Sequence, residues 1–227
     1  MTTRSNEQTT LPPNEPLAEA GLVPVITIDS ADDAGSLAAA LTQGGISYAE
    51  ITFRTPAAAQ AIERMRSEAP RMTVGAGTVL TVEQADRAVR SGAQYVVSPA
   101  FDARVVDWCE EHAVPIIPGV ATPTEVNAAR HRGLRTLKLF PAEQLGGVAL
   151  LQALRGPFPE IQFVPTGGIT RRNLGNYARQ PNVVACGGSW IASKEAISAR
   201  KFDDIVAAAK DACTIVSQAR RQRSRAR

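Results

Sequence analysis

Two hydrophobic patterns alternate along the chain. Short apolar runs rich in β-branched and aromatic residues occupy 23–28 (VPVITI), 46–53 (ISYAEITF), 71–77 (RMTVGAG), 94–99 (QYVVSP), 114–119 (VPIIPG), 135–140 (RTLKLF), 161–165 (IQFVP) and 182–188 (NVVACGG). Their length and composition predict eight strands. Between them lie longer stretches with helical spacing and recognisable starts. Asp32 and Asp33 precede AGSLAAALTQ, Thr81 precedes VEQADRAVR, and Thr122-Pro123-Thr124-Glu125 offers a threonine cap with proline at the first helical position. Gly44, Gly92 and Gly133 stand where helices should stop. Strict strand–helix alternation predicts a parallel sheet with helices outside it. Eight such units suit an α/β fold of the (β/α)8 TIM-barrel type, built as a single domain. A doubly wound open sheet is the alternative, and the lack of a GxGxxG turn after the first run weighs against it.

The ends do not fit this alternation. Residues 1–16 read as a flexible N-terminal arm, 17–217 as the barrel, and 218–227 as a basic tail extending the last helix (203–217). Composition changes the picture only through that tail. The 227 residues carry a formal charge of +3, yet five arginines fall within the last eight positions, so the body without them carries −2. Nucleic-acid binding is therefore not expected of the body. No stretch reaches the ~18–20 apolar residues of a membrane span, so no membrane association is expected either. The polar, proline-containing N-terminus lacks the apolar core of a secretory signal. Cys109, Cys186 and Cys213 are odd in number and widely spaced, which suits reduced thiols in the cytoplasm. There is no CxxC, HxH or HxxxH pattern, so no metal site is expected. His112 and His131 have charged neighbours near helix ends and read as surface residues.

The balance among the cations is more informative than the net charge. Of 25 Lys and Arg residues, 21 are Arg, and Lys138 is the only lysine in the first 193 residues. It lies mid-strand in Thr136-Leu137-Lys138-Leu139-Phe140. A buried ammonium costs several kcal/mol unless it finds a carboxylate or gives up its proton. A buried lysine is also the usual protein nucleophile for Schiff-base chemistry on a carbonyl. On the second strand, Glu50, Thr52 and Arg54 alternate and so share one face, opposite Ile51 and Phe53. Glu50 is the natural proton-transfer partner of Lys138 if the fold brings them together. The competing readings are an ion-paired layer that merely closes the barrel, and a lysine that reaches solvent from a strand end.

In a barrel the C-terminal strand ends face the active site. The third run ends Gly75-Ala76-Gly77-Thr78, whose small residues admit a ligand to the backbone. The fourth and fifth end at Ser98-Pro99 and Pro118-Gly119, turns able to line a cavity. The seventh and eighth end in Thr166-Gly167-Gly168-Ile169 and Gly187-Gly188-Ser189. Two paired-glycine turns at these two places, each leading towards a helix, suit a phosphorylated ligand. Ordinary helix-entry turns explain one such pair more easily than both.

These stretches together resemble one family, the class I aldolases acting on 2-keto-3-deoxy-6-phosphogluconate (KDPG) and 4-hydroxy-2-oxoglutarate (KHG). The resemblance runs in order through VPVITI, AEITFRT, VGAGTVL, VVSP, PIIPGVATPTE, LKLFPAE, ALRGPFP, FVPTGGI and CGGSW, over about residues 20–215. It implies a homotrimer of (β/α)8 barrels that needs no cofactor and acts on a small phosphorylated 2-keto acid. Lys138 matches the Schiff-base lysine and Glu50 the proton-transfer residue. Arg54 and Thr78 match positions that hold the pyruvate carboxylate, while Pro99 and Phe140 match pocket walls. Thr166, Gly167, Gly168 and Ser189 match positions near the substrate hydroxyls and distal phosphate, in keeping with the Gly187-Gly188 turn. Phe53 departs from the family's usual aliphatic residue, and PAF at 99–101 from its common PGL. Other readings stay open: the C4-epimeric phosphogalactonate substrate, an isomerase barrel in which Lys138 is only electrostatic, and a non-catalytic anion binder.

Overall fold

A computed structural model describes residues 14–225. Helix α1 (Asn14–Ala20) precedes β1 (Leu22–Ile26), α2 (Ala34–Gln43), β2 (Tyr48–Thr52), α3 (Ala58–Glu68), β3 (Thr73–Gly77), α4 (Val82–Arg90), β4 (Val96–Val97) and α5 (Ala103–Glu111). The second half runs through β5 (Ile116–Ile117), β6 (Gly119–Val120), α6 (Pro123–His131), β7 (Thr136–Leu139), α7 (Gly147–Arg155), β8 (Gln162–Pro165), α8 (Leu174–Ala178), β9 (Cys186–Gly188), α9 (Lys194–Ser198) and α10 (Phe202–Arg225). Two of the three helix starts follow the chemistry read above; at the other, Asp33 makes no capping bond to α2, and Ser30 caps the helical turn 31–33 that contains both aspartates. Thr81 accepts from the Gln84 N–H, and Thr122 with Glu125 closes a capping box around Pro123. Gly92 and Gly133 take the left-handed conformation after their helices. At the first stop it is Gly45 rather than Gly44 that does so, while Gly44, the helical C-cap, leaves space for Ala209 of α10.

Every strand pair is parallel, in the orders β5-β4-β3-β2-β1-β9 and β6-β7-β8. Two seams join these sheets. At one, the fifth predicted strand is split at Pro118, which has no N–H to donate to a ladder. Its carbonyl still accepts from the Lys138 N–H at 2.9 Å. At the other, Phe163 of β8 bridges Val183, just ahead of β9, through bonds of 2.8 and 3.0 Å with Asn182 and Val184. The sheet is therefore a closed barrel, and the open-sheet alternative falls away.

The apolar residues divide between two cores as the strand alternation requires. Ala49 and Ile51 of β2, Leu137 and Leu139 of β7, and Val74 and Ala76 of β3 face the helices in one continuous cluster. Val23, Tyr48, Tyr95, Val97, Ile117, Val164 and Val184 fill the barrel lumen, and Leu17 of α1 packs into the same cluster. The Tyr48 and Tyr95 rings lie 6.0 Å apart, and the Tyr95 hydroxyl donates to the Ala49 carbonyl at 2.9 Å. Tyr95 fits because Gly75 leaves its ring the space a Cβ would fill.

Both chain ends depart from the sequence expectation. The proposed flexible arm overlaps α1, which begins at Asn14; its first 13 residues lie outside the described part of the chain. At the other end α10 continues to Arg225, in keeping with an extension of the last helix, but Arg220 is half-buried against the barrel and not part of a separate tail. Its guanidinium donates to the carbonyls of Ala18 and Val184, tying α10 to α1 and to the entry of β9. Arg223 likewise donates to the Gln180 carbonyl at 3.0 Å.

Leu17 is 1% exposed, so α1 acts as a plug in the N-terminal mouth of the barrel. Leu17→Ala is expected to lower the unfolding free energy by about 2–5 kcal/mol, measured by urea denaturation. A loss below about 1 kcal/mol would show that the plug carries little of the packing.

Candidate active site

Above the apolar layer, the lumen turns polar towards the C-terminal ends of the strands. Glu50 and Lys138 both point inward, since their neighbours Ala49, Ile51, Leu137 and Leu139 all belong to the outer core. Lys138 Nζ donates to Glu50 Oε1 at 3.1 Å and approaches Oε2 at 3.5 Å, across 88 residues of sequence. The two residues are 4% and 3% exposed. A buried ion pair recovers only part of its desolvation cost from mutual attraction, so its presence is poor support for a purely stabilising role. The Phe140 ring, 5.6 Å from Nζ, gives the ammonium a second favourable neighbour. Room for the carboxylate comes from β3: a Cβ on Gly77 would stand 2.0 Å from Glu50 Oε1.

The remaining predicted residues ring this pair unevenly. Arg54, exposed at the rim beyond β2, donates through Nε to the Thr78 hydroxyl at 3.1 Å. Thr78 holds φ at +54°, an uncommon conformation for a β-branched residue that aims its side chain at Arg54. Pro99 lies beyond β4, its carbonyl in the space a Cβ on Gly119 would need, and Gly119 is the register partner of Lys138. Thr166 is buried, and its hydroxyl sits over Gly187, where a Cβ would meet it at 2.2 Å. Strand ends β8 and β9 are thereby drawn together. Gly167 and Gly168 both have positive φ, and their N–H groups donate to no group among the described residues. Ser189 is exposed past Gly188 and bonds to none of the others.

The turns differ from expectation in one respect. Gly187-Gly188-Ser189 leads straight into a helical turn at 190–192, but after Gly167-Gly168 the next helix starts only at Leu174. The intervening loop is held by Asn173, which accepts from the Thr170 N–H at 2.7 Å and donates to the Gly168 carbonyl at 3.0 Å. Any anion at Gly167-Gly168 is thus met by backbone N–H groups and not by the dipole of an adjoining helix.

Several residues of the site were not singled out by sequence. Glu143 accepts from the Tyr177 hydroxyl and from Asn173 Nδ2, and its own N–H donates to the Gly167 carbonyl at 3.1 Å. It therefore braces the glycine turn, a role no spacing announces. Thr27 Oγ1 lies 2.9 Å from Thr52 Oγ1, which in turn donates to the Ile26 carbonyl. Thr27 is next to last in the first predicted strand, a polar residue late in a strand like those read at the other strand ends. Burial and the Glu50 carboxylate push the Tyr95 phenol well above its usual range, so it stays protonated beneath the pair. Burial likewise pushes the Cys186 thiol up to about 12, which leaves it a poor nucleophile.

Comparison with known proteins agrees with this geometry. The family model for KDPG and KHG aldolase matches residues 14–208. The chain belongs to the KDPG and KHG aldolase family. The 2-dehydro-3-deoxy-phosphogluconate aldolase of Treponema pallidum is 48% identical over 89% of this chain and 96% of its own length. The KHG/KDPG aldolase of Escherichia coli is 39% identical, covering 84% and 90% of the two chains. Among solved structures, KDPG aldolase from Legionella pneumophila, with pyruvate captured at low pH as a covalent carbinolamine, superposes with a TM-score of 0.84. It is 38% identical over 87% of this chain and 96% of that one. The barrel, the single domain and the carbon–carbon lyase class follow from this membership.

The ion pair can be tested through stability. Glu50→Leu alone strands the Lys138 ammonium and should cost about 3–5 kcal/mol, whereas Glu50→Leu with Lys138→Met should recover most of that loss. Urea denaturation of both variants reads this directly, and equal losses would mean that the two side chains are not coupled.

Proposed function

We propose that this aldolase cleaves KDPG to pyruvate and glyceraldehyde 3-phosphate through a Schiff base on Lys138. The observation that carries this reading is the buried contact of 3.1 Å between Lys138 Nζ and Glu50 Oε1. Passing one Nζ proton across that bond frees the lone pair to attack the C2 carbonyl carbon. The resulting carbinolamine loses water, with proton transfers through Glu50, and becomes an iminium. Deprotonation of the C4 hydroxyl then breaks the C3–C4 bond, whose electron pair moves into the iminium to leave an enamine. Glyceraldehyde 3-phosphate departs, C3 is protonated, and water hydrolyses the iminium to pyruvate and free Lys138. The iminium is the electron sink, so the route calls on no cofactor or metal.

The other residues take roles suited to their places. Arg54 and Thr78 hold the carboxylate of the pyruvate moiety, a charge-assisted contact that fixes C2 over Nζ. Phe140 and Pro99 form walls. Thr166, Gly167, Gly168, Gly187, Gly188 and Ser189 receive the hydroxyls and the distal phosphate, supported by the backbone N–H groups of the two turns. Cleavage of KHG to pyruvate and glyoxylate follows the same steps without the phosphate contacts, and the E. coli relative's name includes both substrates. The C4-epimeric phosphogalactonate is the second substrate candidate. A homotrimer in the cytoplasm rests on the family resemblance and on three cysteines without disulfides. Light scattering should give about three times the chain mass of 24.1 kDa.

Borohydride added with pyruvate should fix a reduced pyruvyl adduct on the Lys138 peptide, seen by mass spectrometry; an unmodified Lys138 overturns the Schiff-base reading. Glu50→Gln should lower kcat by about 10²–10⁴-fold with little change in KM. Steady-state rates on the three substrates rank them, and equal rates with and without phosphate would remove the two glycine turns as a phosphate site.

A further inference from the structure

At the end of the barrel opposite Lys138, a cleft of about 930 Å3 opens between α1, the N-terminal ends of β2 and β3, and the last turns of α10. Arg71 reaches its wall from just before β3, and Arg220, Arg221 and Arg225 from α10. Among the described residues Glu19 is the only acid on the wall, and it pairs with none of the four. The arginines face no carboxylate at ion-pairing distance among the described residues. Arg220 is committed to the carbonyls of Ala18 and Val184, and its buried Nε–H has no partner among the described residues. Arg221 donates only to the Ser217 hydroxyl at 2.8 Å, while Arg71 and Arg225 make no hydrogen bond among the described residues. Elsewhere Arg90, Arg104, Arg132 and Arg171 each pair with an aspartate, while Arg66, Arg87, Arg155 and Arg179 lack a carboxylate at ion-pairing distance among the described residues, so what distinguishes the cleft arginines is that they line one hollow.

Solvated arginines at the end of a helix are ordinary, since they complement its dipole. The end of α10 does not account for Arg71, which approaches from the turn between α3 and β3, nor for the concave shape between them. Like charges gathered around a hollow repel one another unless an anion shares it, and guanidinium groups bind phosphoryl oxygens in pairs. Hydroxyls of Ser47 and Thr73 at the strand ends add neutral donors to the same wall. The volume lies near the top of the roughly 300–1,000 Å3 of small-molecule sites.

We propose that this cleft is a second, non-catalytic site for a small organic polyanion carrying at least two phosphoryl groups, of about nucleotide size. The site is independent of the aldolase reading, because it lies at the closed end of the barrel beneath the Tyr48–Tyr95 layer. Occupancy would tie α10 to the entries of β2 and β3 through the bound anion.

Isothermal titration of the full chain with inorganic tripolyphosphate tests the proposal, comparing wild type with R71A/R221A. Both residues are exposed, so the double variant is expected to keep the wild-type melting curve and its rate of aldol cleavage. The expected result is binding that weakens as salt is raised and is lost at least about tenfold in R71A/R221A, with R71K/R221K intermediate because it keeps charge but not the guanidinium fork. No binding to wild type, or equal affinity in wild type and R71A/R221A, overturns the proposal. The second outcome would place the anion at the glycine turns of the other end.

Discussion

A lysine and a glutamate enclosed in the lumen of a barrel set the terms for the residues around them. Neither Lys138 nor Glu50 reaches bulk water, so each must be held where the other can neutralise it. That requirement runs outward through the fold. Gly77 on the neighbouring strand leaves space for the carboxylate, and Gly75 leaves space for the Tyr95 ring below it. Tyr95, Tyr48 and the aliphatic residues around them form a dry floor, and Leu17 of α1 closes it from beneath. The pair is thereby open towards one end of the barrel only, the end from which a carbonyl compound can approach.

The polar mouth is assembled from strand ends that differ in how firmly they are held. Thr166 and Gly187 are in such close contact that β8 and β9 share one wall, and Glu143 with Asn173 braces the adjoining glycine turn. Thr78 is fixed in a left-handed conformation with its hydroxyl on Arg54. Arg54 and Ser189, by contrast, are exposed, and Arg54 is held only by its bond to the Thr78 hydroxyl.

The arginine-rich C-terminus shows how composition misleads when it is divided by position alone. Five arginines in eight residues read as a basic tail extending the last helix; the helix does continue to Arg225, yet Arg220 is folded into the closed end of the barrel. The same charge cluster that has no bearing on the reacting centre joins α10 to α1 and forms one wall of a basic cleft. Burial of Arg220 holds its guanidinium below the usual range, with the charge of Arg223 acting in the same direction.

Sequence by itself determined what depends on local periodicity and on the scarcity of a residue type. Alternating strand and helix patterns pointed to a parallel sheet that suits a barrel, period-two alternation placed Glu50 and Thr52 on one face while Arg54 lies past the strand end, and a single lysine among arginines marked the nucleophile candidate. Family resemblance then supplied the carbonyl substrate and the roles of the strand-end residues. Tertiary structure alone decided which inward positions meet. That Lys138 lies beside Glu50, that Pro118 splits a strand and forms a seam, and that Glu143, Tyr177 and Asn173 brace one turn all follow from barrel closure and register. So do the docking of α1 as a floor and of Arg220 against it. These contacts join residues tens to hundreds of positions apart, and no local pattern encodes them, because side-chain preference is set within a few residues whereas closure is set by the packing of the whole sheet.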